Sequence, residues 1–224
     1  MASSVGRGRR LARTLTCTAC GAALLVTLLL AANAVTRAAE PTGTPASREA
    51  LALCHQAQKA SGKERDALLE QSLERADAAI AEKDDDALAH FARFCALGEQ
   101  ARAAGVSLSN LVKLWAIRDA IDRTLELAPD FPDALLGKGA FLMSVPRLLG
   151  GSPKEGERLV RRALEIEPDY VGARLVLAEA LLEDDRKSEA REEASRALAS
   201  AEAKNDPEGV ADARRLLATI DAES

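Results

Sequence analysis

The sequence predicts an all-α fold: a right-handed solenoid of antiparallel helix pairs, about three to four repeats, closed by a C-terminal capping helix. Three observations predict it. First, one phrase recurs inside apolar-periodic segments: Arg123-Thr124-Leu125, Arg162-Ala163-Leu164 and Arg196-Ala197-Leu198, at offsets of 39 and 34 residues. Second, Leu125-Glu126-Leu127-Ala128-Pro129-Asp130-Phe131 is echoed by Leu164-Glu165-Ile166-Glu167-Pro168-Asp169-Tyr170, a helix end stopped by proline and followed by an acidic and an aromatic residue. A period of this size means stacked helical hairpins, because one hairpin cannot bury its own apolar face. Third, only 3% of the chain is aromatic while Ala and Leu dominate. Small and aliphatic side chains suit close helix packing, and no alternating β-branched run with a hairpin turn argues for strands.

In chain order, residues 1–38 are a different kind of text. Arg7, Arg9, Arg10 and Arg13 precede an uncharged stretch from Thr14 to Thr36, and Ala32-Asn33-Ala34 supplies small residues for cleavage. This is the anatomy of an export signal. The stretch is also long enough to span a bilayer, which leaves an uncleaved membrane anchor open. The expected location is the periplasm, free or tethered to the inner membrane. Residues 39–47, with Pro41, Gly43 and Pro45, read as a linker. Helical repeats are expected over 48–206 and a capping helix over 207–224. The individual helices are predicted at 47–60, 63–83, 86–103, 108–127, 132–145, 153–166, 170–183, 187–202 and 208–222. Start signals are plain at Ser109-Asn110, Pro153 and Pro207-Glu208.

The register makes Ala134, Ala173 and Ala213 equivalent points on three first helices, so the last helix is a first helix without a partner. The hairpin after Ala134 carries five extra residues within Ser144 to Pro153. The segment Val171 to Lys204 places Ala173, Ala178, Ala190 and Ala197 where two antiparallel helices must approach, just after Pro168-Asp169. It resembles a tetratricopeptide (TPR) repeat. The resemblance is good over 132–204, fair over 86–131, weak over 47–85 and absent from the signal. Leu135 and Arg174 stand where many such repeats have a large aromatic. The turn Val145-Pro146-Arg147-Leu148-Leu149-Gly150-Gly151 is similar to one in exported bacterial TPR proteins, including the TatT-type periplasmic component of TRAP transporters. That likeness implies an alternative role as a solute-binding transport accessory.

No catalytic constellation is present. His55 and His90 have no partner at a metal-ligand spacing, and Gly137-Lys138-Gly139 and Gly150-Gly151 lack the context of a phosphate loop. Neither cofactor nor metal is expected, and an enzyme is disfavoured. The formal net charge is −5; residues 1–38 hold five Arg and no acid, so the remainder, with 25 basic against 35 acidic residues, is near −10. That balance argues against nucleic acid. Cys17 and Cys20 fall inside the signal. Cys54 and Cys95, on the first helices of neighbouring hairpins, are read as buried free thiols, with a disulfide as the alternative because its Cα separation is narrow.

Function is expected on a surface. In a curved hairpin stack the first helices face inward, which nominates Leu136, Ala140, Met143, Leu175, Glu179 and Leu182, with Asp133 and Gly172 beside them and Arg93 extending the row. TPR domains that grip a terminal carboxylate use Lys and Asn at comparable positions, so this row fits an apolar protein segment, a peptide or a small hydrophobic solute better. The same residues also fit plain packing between repeats. The turn residues Pro146, Leu148, Leu149, Gly150 and Gly151 form a second candidate contact. Phe91, Phe94 and Trp115 are expected to form the core of one hairpin. A membrane is expected to be met only through the N-terminal segment, if it is uncleaved.

Overall fold

The computed structural model describes residues 41–104 and 111–223, and the predicted signal, Cys17, Cys20 and the start signal Ser109-Asn110 lie outside them. Among the described residues there are nine α-helices and no strand. They are α1 (Pro45–Lys59), α2 (Gly62–Glu82), α3 (Ala87–Ala104), α4 (Leu111–Leu127), α5 (Pro132–Ser144), α6 (Pro153–Ile166), α7 (Val171–Glu183), α8 (Lys187–Lys204) and α9 (Pro207–Ala222). Consecutive helices pair as α1/α2, α3/α4, α5/α6 and α7/α8, and α9 packs on both α7 and α8.

Local chemistry sets the ends. Helix α1 begins at Pro45, two residues earlier than the periodicity predicts, because proline tolerates the first helical position and Thr44 Oγ1 accepts the Ser47 N–H at 3.2 Å. Asp86 starts α3: its Oδ1 accepts the N–H groups of Leu88 (3.0 Å) and Ala89 (3.2 Å), while Oδ2 accepts the Thr44 N–H at 2.8 Å. One carboxylate thus ties the start of α1 to the start of α3. Burial alone would raise its pKa, but the hydrogen bonds from Thr44, Ser47 and Ala89 outweigh that and hold it below the usual carboxylate value. Asp206 caps α9 in the same manner, accepting the Gly209 N–H at 3.0 Å.

The first helices form a continuous row, each touching the next. Cys54 of α1 is bonded to Cys95 of α3. Phe94 of α3 lies over Gly137 of α5, where a Cβ would come within 2.6 Å of the ring. Leu136 of α5 packs toward Gly172 of α7, and the Tyr170 hydroxyl, just before α7, donates to Asp133 of α5. Val171 of α7 meets Gly209 of α9. Within the third hairpin the backbones of α5 and α6 approach so closely that a Cβ on Gly156 would stand 2.6 Å from the Gly139 carbonyl oxygen. A Cβ on Gly139 would in turn stand 2.9 Å from the Gly156 carbonyl oxygen, so a glycine in the middle of α5 is required by close approach.

The recurring Arg phrases mark a repeated latch. Their central residues, Thr124, Ala163 and Ala197, are fully buried, and the Thr124 hydroxyl is satisfied by donating to the Ala120 carbonyl at 2.8 Å. Arg123 of α4 reaches Asp84, ahead of α3, at 2.9 Å; Arg162 of α6 reaches Asp130, ahead of α5, at 3.0 Å. Arg196 departs from this pattern and pairs with Glu192 and Glu193 on its own helix. Arg174 replaces an aromatic with an ion pair: it meets Glu193 of α8 at 2.6 Å, both side chains nearly buried, and donates back to the Pro168 carbonyl.

Three expectations need correction. Ala134 and Ala173 both hold the third position of their helices, but Ala213 holds the seventh of α9, and Gly209 takes the third. The register is off by one turn, and the burial pattern survives because residues i and i+4 share a face. Cys54 and Cys95 are bonded, with a Cα separation of 6.3 Å, inside the range a disulfide requires. Phe91 and Phe94 stack at 6.0 Å and Phe91 meets Phe131 edge-on at 4.9 Å, but Trp115 stays out of this cluster and is 69% exposed. The core of that hairpin is closed by Ile117, Ala120 and Ile121 on the opposite side of α4.

Candidate functional site

The row of first helices carries the predicted groove residues on α5 and α7, and packing against the core divides them. Leu136, Met143 and Leu182 are half-buried against the cluster of Val160, Leu177, Ala178, Leu181 and Ile220, so part of their surface closes the contact between repeats. Ala140 and Leu175 are buried to the same intermediate degree but stand outside the buried clusters, and Glu179 is exposed. Arg93, expected in the same row, turns instead to Asp77 of α2 at 3.0 Å. Asp133 is engaged by the Tyr170 hydroxyl, whose pKa is pushed far up by burial and by the Asp133 charge, leaving the phenol a permanent donor.

Glu179 gives this face its electrostatic character. Partial burial and the like charges of Glu183 and Asp212 raise its pKa above the ordinary carboxylate value. Asp212 belongs to α9, so the acidic group is assembled from two first helices. The half-exposed apolar positions Ala140 and Leu175 thus lie along a row that ends in carboxylates, a setting for an apolar segment carrying a basic group.

The turn between α5 and α6 is the second predicted contact. Arg147–Leu149 form a single 3₁₀ turn, ended by Gly150 at φ +92. The Pro146 carbonyl accepts the N–H groups of both Leu149 (2.8 Å) and Gly151 (3.1 Å), and Ser152 N–H returns to the Leu142 carbonyl at 2.8 Å. A Cβ on Gly151 would overlap the Val145 carbonyl, which explains the second glycine. Val145 folds inward and is buried, whereas Leu148 and Leu149 face solvent. Sequence reasoning missed the neighbour of this turn: Arg118 of α4 donates to the Gly150 carbonyl at 3.0 Å, which ties the turn to the helix that carries the exposed Trp115. A Trp at the end of an apolar helix face reads as core from periodicity alone.

The two histidines lie in unlike settings. His55 is exposed, and buried His90 shares a contact with the Asp84 carbonyl at 2.9 Å. Among the described residues no three His, Cys, Asp or Glu side chains are grouped to hold a metal.

The comparisons with known proteins agree with this architecture. The tetratricopeptide-repeat family model matches residues 148–209, covering the end of the turn, α6, α7, α8 and the start of α9. The crystal structure of TTC0263, a thermophilic TPR protein from Thermus thermophilus, is similar with a TM-score of 0.58 and 22% identity over 75% of this chain and 79% of that one. Residues 148–209 thus carry a tetratricopeptide-repeat match, and the helical stack as a whole has the fold of a TPR protein. Crystal structures of MamA are also similar, one with 17% identity and a TM-score of 0.49 over 83% of this chain and 90% of that one. Another, of a MamA RS-1 double mutant, has 15% identity and a TM-score of 0.46 over 81% and 98%. No curated protein matches the chain. The family match begins inside the long turn, and the transport reading drawn from that turn gains no support from the matched names.

Proposed function

We propose that this TPR-fold protein is a non-catalytic scaffold of the cell envelope that holds a protein or peptide segment on its row of first helices. Stacked helical repeats serve as protein-interaction scaffolds because their surface is extended, repeated and little constrained by the core. The observation that carries the reading is the division of the row. Leu136, Met143 and Leu182 pack on the core cluster between repeats, while Ala140, Leu175 and Glu179 do not and are left for a partner. Disulfides persist in oxidising compartments, so the Cys54–Cys95 bond supports export, in keeping with the basic and apolar N-terminal text.

Two measurements test the reading. Ala140→Glu with Leu175→Glu places two charges on half-exposed positions and is expected to abolish capture of envelope proteins while the circular dichroism stays helical. Capture at the wild-type level would remove this face from the model. Alkaline phosphatase fused after Ser224 is expected to be active in the host, since it folds only where disulfides form. An inactive but intact fusion would overturn export.

A further inference from the structure

The large hydrophobic side chains exposed among the described residues are Val112, Trp115, Leu148 and Leu149. They are 79%, 69%, 99% and 41% exposed, and they come from two elements far apart in sequence. The Arg118–Gly150 hydrogen bond brings these elements together. Val112, Trp115 and Arg118 follow one another at three-residue spacing along one side of α4. Gly150 ends the turn whose two preceding residues are Leu148 and Leu149. The turn is held by its own backbone bonds and by Arg118, so Leu148 is displayed on a fixed support and does not fold back onto α4.

Cations border this patch. Arg147 precedes Leu148, Lys154 follows the turn at the start of α6, and Arg118 holds the turn itself, whereas Lys113 turns away to line a hollow with Asp66, Gln100 and Ala103. Arg118, Arg147 and Lys154 have no ion-pair partner among the described residues, although most arginines of the repeats are paired. Exposed Asp119, one turn beyond Trp115, offsets them in part. A local excess of positive charge stands out in a chain of net charge −5.

We infer that this patch docks onto the surface of an anionic lipid bilayer. Four side chains cannot supply the roughly 800 Å² per partner of a standard protein interface, so a stable pairing of two copies through this patch is disfavoured. A bilayer needs no matching shape: a few protruding apolar groups enter the headgroup region, Trp settles at that depth, and Lys and Arg meet lipid phosphates. Among the described residues no helix is long and apolar enough to cross a membrane, so the contact is interfacial. This contact would be separate from the N-terminal segment and from the groove, and it would orient the repeats on the membrane.

Trp115 is the sole tryptophan of the chain and reports on this patch. The full-length protein is mixed with vesicles of phosphatidylcholine alone, or of phosphatidylcholine with phosphatidylglycerol, each with and without brominated acyl chains. The expected result is a shift of Trp115 emission to shorter wavelength and quenching by brominated lipid on the anionic vesicles, both weakened by salt. Leu148→Glu with Leu149→Glu is expected to weaken this response about tenfold or more, and Arg147→Gln with Lys154→Gln to remove the preference for anionic lipid. Insertion of the N-terminal stretch alone leaves Trp115 unquenched. Emission unchanged on anionic vesicles would overturn the inference, as would a response undiminished in the Leu148/Leu149 variant. A protein that shifts Trp115 where vesicles do not would assign the patch to a protein partner instead.

Discussion

Reducing the Cys54–Cys95 disulfide should destabilise the N-terminal hairpins, and the size of the effect follows from the loop it closes. The two cysteines are 41 residues apart. In the chain-entropy account a loop of that length removes about 13 cal/mol/K from the unfolded ensemble, or about 4 kcal/mol at 25 °C. Cys54 is fully buried and Cys95 half-buried, so the reduced thiols keep their place as small apolar groups and the loss is mainly that of the cross-link. The assay is urea unfolding followed by circular dichroism with and without reductant, joined to amide exchange. Repeats are stabilised mainly by nearest neighbours, so amides of α1 to α3 should lose more protection than those of α7 to α9. Peptide mapping without reductant should recover Cys54 and Cys95 in one linked peptide. A map lacking that peptide, or a change in stability below about 1 kcal/mol, would refute the reasoning and weaken the case for an oxidising compartment.

Three further outcomes are expected. Asp86→Ala removes the cap of α3 and the acceptor for the Thr44 N–H, a loss of about 2 kcal/mol or more by thermal or urea unfolding; because the folded pKa is depressed, this stabilisation is present above the usual aspartate pKa and is lost as pH falls through the folded value. Glu179 is opposite in sign: its folded pKa is raised, so the folded state binds more protons and stability falls as pH rises from the ordinary glutamate value through the folded one. Glu179→Gln should flatten that part of the stability profile, and a profile unchanged from wild type would contradict the acidic cluster with Glu183 and Asp212. Gly156→Ala must push α6 away from the Gly139 carbonyl, with an expected loss of about 1–3 kcal/mol despite the better helix propensity of alanine; a stabilised variant would show that the two backbones are not in contact.

Local sequence determined most of the helices, and the reason is that their signals are local. Pro132, Pro153 and Pro207 stand at first helical positions, Asp206 caps the turn that follows it, and the Arg-Ala-Leu phrases put a small central residue on the buried side. The repeat offsets then imply stacking, because hairpins of this kind cannot bury their faces alone. Candidate binding residues were legible only as positions on a face. Whether Leu136 closes a contact while Leu175 stays available depends on where Gly172 of the next hairpin lies.

Tertiary structure decided the rest. The bond between Cys54 and Cys95 depends on a Cα separation that no spacing encodes. The one-turn offset of Ala213 was hidden because residues four apart share a face. Trp115 carries the apolar character of a core residue, and it lies outside because Ile117, Ala120 and Ile121 fill the packed side of α4 while Arg118 fixes the neighbouring turn. Periodicity records which residues can be buried together; which apolar side chains are left in solvent is determined by the volume already filled across the contact, a property of neighbours distant in the chain.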